Sequence, residues 1–386
     1  MNFRPLAAAA LALAAAALAV GLTPVATASA SPPGDRAEHG AVFVETNDET
    51  SNAIIAYSRG RDGHLTETGR FPTGGLGGAV AGPVFDPLAS QGALTYDADH
   101  QLLYAVNAGS DTLTVFAVHG TNLSQRQIVS SGGHLPVSVG VARDLVYVLN
   151  AGGDGAISGF RVNDGTLNPL VGSTRSLGLG NPATPPFLAA PSQVALTPDG
   201  RNVIVATKTQ GVLDIFPLDR LGRPTPAPVV TAAAPGSVPF ALSFDRDANL
   251  LVAGAAGVAS SYTVHRDGTL TAISTAVPNG QSATCWTVFA RGHLYAANAG
   301  SATITGYTDH HGKLALREPT GVAAHTDTGP VDLAASGDDK YLYQLATGAG
   351  VIDEYRIGQN GSLSLIGTVT GLGIDNGHGT EGIAAT

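Results

Sequence analysis

Carboxyl, imidazole and amine groups run acid–base chemistry near neutral pH once their surroundings shift their protonation. In this chain of 386 residues only a few such groups fall at recurring places. Asp332 stands second in VDLAA and Glu381 first in EGIAAT, two short runs of one type. Two carboxyls in unlike surroundings divide into a proton donor and an ionised base. His134 and His378 lie in loops leading into such runs and carry the side chain that titrates nearest neutrality. Lys208 would set positive charge against a developing oxyanion or enolate. Ser138 and Gln193 would hydrogen-bond a ligand, and Trp286, the single Trp, would form an aromatic wall with Phe240. The expected catalytic set is therefore Asp332, Glu381, His134 and His378, with Gln193, Trp286, Lys208, Ser138 and Phe240 for binding. The plain alternative is structural, since an Asp opening a strand also serves by hydrogen-bonding a neighbour's backbone.

Other chemistries lack their residues. PVSVG from Pro136 has Pro where a nucleophile elbow needs Gly. No HExxH, P-loop or zinc pattern occurs, and GLGGAVAG from Gly75 lacks the spacing of GxGxxG and precedes no helix. Asp375, His378 and Glu381 in DNGHGTE read as a solvated loop in preference to a cation site, which needs several convergent oxygens. Neither metal nor cofactor is expected. Cys285 reads as a small buried hydrophobe. Asn107, Asn150 and Asn298 each precede Ala-Gly and read as turn residues, and the pair His310 and His311 sits at a turn exposed to solvent.

These positions recur because the chain repeats. LYAVNAGS from Leu103, VYVLNAGG from Val146 and LYAANAGS from Leu294 have weaker copies at Val42, Val203, Leu250 and Leu342. The column through Asn47, Asn107, Asn150, Thr207, Gly254, Asn298 and Ala346 steps by about 50 residues, a propeller-blade period. Each copy is followed after 13 to 16 residues by a turn Gly, at Gly63, Gly120, Gly165, Gly222, Gly268, Gly312 and Gly361. One strand ends at the first column, a second runs to the Gly turn and a third begins beyond it. A leading strand precedes each, as in SQVAL from Ser192 and CWTVF from Cys285. The first repeat lacks that leading strand, and EGIAAT at the C-terminus matches it. The reading is an all-β seven-bladed β-propeller of four-stranded antiparallel blades over residues 41–386, with the C-terminal strand completing the N-terminal blade. Long insertions at residues 74–90, 177–191 and 371–380 project to the rim where innermost strands begin, which is where the candidate site is expected.

Composition narrows the partners. With 20 Lys+Arg against 30 Asp+Glu the net charge is −10, which disfavours nucleic acid and anionic membrane. Only 13% of residues are charged, which argues for a large core, and one Cys allows no internal disulfide. Arg4, an apolar run over residues 6–22 and Ala-x-Ala spacing near Ala30 read as an export signal over residues 1–30, with a retained membrane anchor as the alternative. Residues 31–40 read as a disordered lead. The mature chain is expected to be a secreted monomer, extracellular or periplasmic, that meets a small-molecule ligand or an extracellular partner.

SQGAL from Ser90, VNAGSDTLTVF from Val106, SGGHLPVSV from Ser131, VYVLNAGG from Val146, ISGF from Ile157 and ATCW from Ala283 resemble the secreted branch of the lactonase-type seven-bladed propellers. That family includes 6-phosphogluconolactonases and 3-carboxymuconate lactonizing enzymes. The resemblance implies a metal-independent lactone hydrolase or cycloisomerase. It also implies a His and an Arg opening two innermost strands, and Glu or Arg just past the second-strand column. Here those places hold Ser192-Gln193, Pro239-Phe240-Ala241, Gly254-Ala255 and Ala299. Without the cations that grip phosphate, 6-phosphogluconolactone is disfavoured, and an uncharged or bulky lactone is the expected substrate. A propeller that binds a ligand or protein without chemistry is the alternative.

Overall fold

Short runs of Val, Ile, Tyr and Phe broken by Gly, Asn and Asp favour strands joined by tight turns, since β-branched and aromatic side chains pack well on a pleated surface. The computed structural model describes residues 40–372 and 379–386, and these form seven antiparallel sheets in sequence order around a ring. The innermost strands of blades 1 to 7 are Glu381–Ala385, Leu94–Asp97, Pro136–Ala142, Pro191–Leu196, Pro239–Phe244, Thr284–Ala290 and Pro330–Ala335. The second strands, Ala41–Glu45, Leu102–Asn107, Leu145–Asn150, Asn202–Thr207, Leu250–Gly254, His293–Asn298 and Tyr341–Ala346, end at the predicted column within two residues. Short extra strands at Arg175–Ser176 and Ala324–His325 extend the outer edges of blades 3 and 6.

The C-terminal strand closes the ring as expected. Glu381–Ala385 pairs with Ala41–Glu45 in the register Val42 to Ala385 and Val44 to Ile383. Thr386 clasps the seam, donating from its backbone N to Ala41 at 2.9 Å and accepting from the Ala41 N at 2.8 Å. The second strands are buried along nearly their whole length.

In three blades a Tyr of the second strand meets the turn Gly of the next blade. Tyr147 donates to the Gly222 carbonyl of the next blade (2.6 Å), Tyr295 to Gly361 (2.8 Å) and Tyr343 to Gly63 (2.8 Å). Each Gly has positive φ, and at Gly63 a Cβ would lie 2.2 Å from the Tyr341 ring. The turn therefore needs Gly for its backbone and for the neighbouring blade's approach.

The innermost strands share an entry device. Leu135, Val238, Ala283 and Gly329, each immediately before such a strand, have positive φ. A bulge follows within the first residues of the innermost strands of blades 1 and 3 to 7. Pro stands first in four of them, where no ladder N–H is required. A bulge re-aims the side chains beside it. The residues so placed are Val137, Ser192, Phe240, Cys285, Asp332 and Gly382.

Candidate functional site

The insertion over residues 74–90 folds as a strap across the rim. Gly77 N donates to Asp48 O (2.7 Å), Asn47 Nδ2 to Gly78 O (2.9 Å), and Ala81 pairs with Pro186 of the second insertion. On blade 7, Thr347 Oγ1 donates to Phe85 O (2.6 Å). The strap then drops into the channel, and Leu88, Ala89 and Ser90 are wholly buried. Carbonyls of Ala89, Ser90 and Gln91 collect donors from the ring: Trp286 Nε1 to Ser90 O at 2.8 Å, Lys208 Nζ to Ala89 O at 2.6 Å, and Ser138 Oγ to Gln91 O at 2.7 Å. Gln91 bonds both backbone groups of Thr287, and Gln193 does the same for Leu242 of the adjacent blade. Gln91 thus ties the strap to blade 6, and Gln193 ties blade 4 to blade 5.

Under the strap lies a buried charge cluster. Glu381 lies within electrostatic reach of Asp332 and of Lys208, and all three interact with Asp86, a residue the sequence reading did not single out. Asp86 sits on the strap, outside the repeat register that exposed the other three. Burial raises the Glu381 carboxyl well above its usual range, and the Asp86 and Asp332 carboxyls beside it push it further. Burial raises Asp86 also, opposed by a hydrogen bond with Glu381 and by the Lys208 charge. Burial lowers the Lys208 amine, which the Asp86 carboxylate partly restores. The Lys208 Nζ lies 5.1 Å from both the Phe187 and Phe240 ring centroids, and Phe240 packs edge-on to Trp286 at 5.1 Å. Cys285, beside them, has its thiol pushed far up by burial, which suits a packed hydrophobe.

Below the strap the channel is open. A cavity of about 440 Å³ is lined by Gln91, Gln193, Thr287 and Asp332 at its blind end. Toward the far end of the innermost strands Tyr96, Val141, Phe244, Phe289 and Ala335 line it and are only half-buried. The mouth therefore lies on the face where innermost strands end, opposite the strapped rim. Asp332 is 3% exposed, and burial raises its carboxyl to about 7 against the backbone N–H groups of Leu333 and Ile383, with Asp86 raising it further. Leu333 N donates to Asp332 Oδ1 at 2.9 Å. Neither Lys nor Arg is among the described residues lining the cavity.

The nine candidates thus separate. Asp332 and Gln193 line the cavity, whereas Glu381, Lys208, Trp286, Phe240 and Ser138 are buried beneath the strap. His134 stands at the surface with its side chain 77% exposed, bonded to Asp111 at 2.8 Å. His378 lies outside the described residues, as does Asp375. Asn107 and Asn298 are buried in Asn–Thr hydrogen-bond networks at the second-strand ends, and His311 is exposed against Asp247. Among the described residues no three His, Cys, Asp or Glu side chains are grouped to hold a metal ion.

The lactonase seven-bladed β-propeller family model matches residues 42–177. No curated protein matches the chain in sequence. Among solved structures, a 6-phosphogluconolactonase candidate from Bacteroides uniformis is 18% identical with a TM-score of 0.67, over 91% of this chain and all of the other. The periplasmic gluconolactonase of Pseudomonas aeruginosa is 16% identical with a TM-score of 0.68, over 90% of this chain and 99% of the other. A Lactobacillus plantarum protein is 17% identical with a TM-score of 0.69, over 90% and 99%.

Proposed function

We propose that this lactonase-type seven-bladed β-propeller is an exported enzyme that opens an uncharged lactone in its central channel, with Asp332 moving the proton. The observation that carries this reading is a carboxyl raised to about 7 at the blind end of a cavity of small-molecule size. Ionised Asp332 takes a proton from water as the water oxygen bonds to the ring carbonyl carbon. Collapse of the tetrahedral adduct breaks the ring carbon–oxygen bond, and the departing alkoxide recovers that proton. The product is a hydroxy acid. Gln193, Gln91 and Ser243 offer polar contacts to the ring, and Tyr96, Phe244 and Phe289 offer apolar surface to a substituent. A lining free of Lys and Arg suits an uncharged substrate better than a phosphorylated one. Asp86 acts behind Asp332, adding to the burial that keeps its carboxyl raised. Export rests on Arg4, the apolar run and the Ala-x-Ala spacing, and the mass of the mature protein's N-terminal peptide tests it.

Proton release measured over a broad panel of lactones tests the chemistry. The active form is the carboxylate, so the rate should climb through pH 7 to a plateau above it. Asp332→Asn should lower kcat by about 10²–10⁴ while the protein stays folded. A fall of less than tenfold removes Asp332 from the reaction. If no lactone is opened, the molecule is a ligand-binding propeller, a reading favoured by the burial of Lys208, Glu381 and Trp286 beneath the strap.

A further inference from the structure

On the face where the channel opens, the turns of blades 3, 4 and 5 gather Arg side chains in a chain whose net charge is −10. A cleft of about 420 Å³ is lined by Arg143, Arg161, Arg201, Arg220 and Arg266 against Asp144, Asp199 and Asp219. The acids are already engaged. Asp144 pairs with Arg161, Asp199 with Arg201 (3.1 Å) and Asp219 with Arg223 (2.8 Å). Among the described residues Arg143, Arg220 and Arg266 are exposed and have no ion pair or hydrogen bond. Three guanidinium groups thus face one cleft with their charge unspent.

The same cleft has an apolar shoulder. A second hollow of about 600 Å³ shares Arg161 and Arg220 with it and adds Pro169, Leu170, Val171 and Leu221. Val171 is 88% and Leu221 56% exposed, among the largest exposures of apolar side chains in the described residues. Guanidinium groups bind phosphate and carboxylate oxygens through paired N–H donors, and an adjoining apolar wall adds area for an uncharged group. We infer that this cleft binds a small anion carrying an apolar substituent, with the anionic head between Arg143, Arg220 and Arg266 and the substituent over Val171 and Leu221.

The experiment is calorimetric titration at low ionic strength with inorganic phosphate and with phenyl phosphate, on wild type and two variants. Phenyl phosphate should bind more tightly than inorganic phosphate. Arg143→Gln/Arg220→Gln/Arg266→Gln removes charge from exposed side chains with no partner to lose and should weaken both ligands at least about tenfold. Val171→Ser/Leu221→Ser should erase the advantage of phenyl phosphate and leave inorganic phosphate unchanged. Added salt should weaken all binding. The inference is overturned if neither anion binds, if the triple Arg variant binds as wild type does, or if the two ligands bind equally.

Discussion

For Asp332 the proposed proton transfer and the effect on stability both follow from the same shift. Its folded pKa is raised, from the usual 3.8 to about 7, so the folded state holds a proton that the unfolded state has released over that window. The contribution to stability is full below about pH 4 and is lost as pH rises through 7, on the order of 4 kcal/mol in all. Asp332→Asn keeps the shape and removes the titration. It should therefore melt near wild type at pH 4.5 and above wild type at pH 8, and thermal melts at the two pH values check this. A variant that is less stable at pH 8 would mean that the ionised carboxylate is held by more than the N–H groups around it. Asp332, Glu381 and Lys208 were legible in the sequence because each occupies a fixed place in a repeat that recurs seven times. Asp86 was not, because the strap has no counterpart in the other blades, and only the fold brings its carboxyl to Glu381. Nor could the repeat reveal that Leu88 and Ala89 would fill the strapped end of the channel and leave the opposite end open.

Strands and turns were the most legible elements, since the spacing from the Asn column to the Gly column sets hairpin length directly. What the spacing could not say is why the Gly is needed. At Gly63 the reason is double: φ is +94° and the Tyr341 ring occupies the place of a Cβ. Gly63→Ala should cost about 1–3 kcal/mol through backbone strain, with a further loss as blades 7 and 1 separate. Tyr343→Phe removes the hydrogen bond to the Gly63 carbonyl and leaves that buried oxygen unpaired, a loss of about 1–3 kcal/mol. Both changes touch one interface, so the double variant should lose less than the two single losses added. Urea midpoints at constant slope measure all three, and strict additivity would show that turn and tyrosine act independently. The strap has its own reporter, because Trp286 donates to Ser90 O beneath it. Emission from the single Trp should be blue-shifted and shielded from acrylamide.

The ring of seven blades is closed where Ala41–Glu45 pairs with Glu381–Ala385. The seam rests on Glu381–Ala385, whose Gly382 has φ +78° and would place a Cβ 2.7 Å from Leu94 N in blade 2. Deleting residues 380–386 exposes the edge of Ala41–Glu45 and strips its partner, and Gly382→Ala is a gentler disturbance of the same seam at about 1–3 kcal/mol. Cys285 reads the outcome from elsewhere in the ring. It lies in blade 6, it is the only thiol, and burial holds it in the unreactive thiol form. A thiol reagent can then reach it only when the structure opens. If the ring unfolds as a whole, weakening the seam in blade 1 must raise labelling of Cys285 by the same free energy that it removes from global stability, since labelling follows the open population. For Gly382→Ala that is an increase of about 5- to 150-fold in native buffer. Labelling of the wild type should also rise with urea at the slope of global unfolding. Cys285 labelling that ignores Gly382→Ala would show instead that blade 6 opens alone and that the seam does not couple the ring.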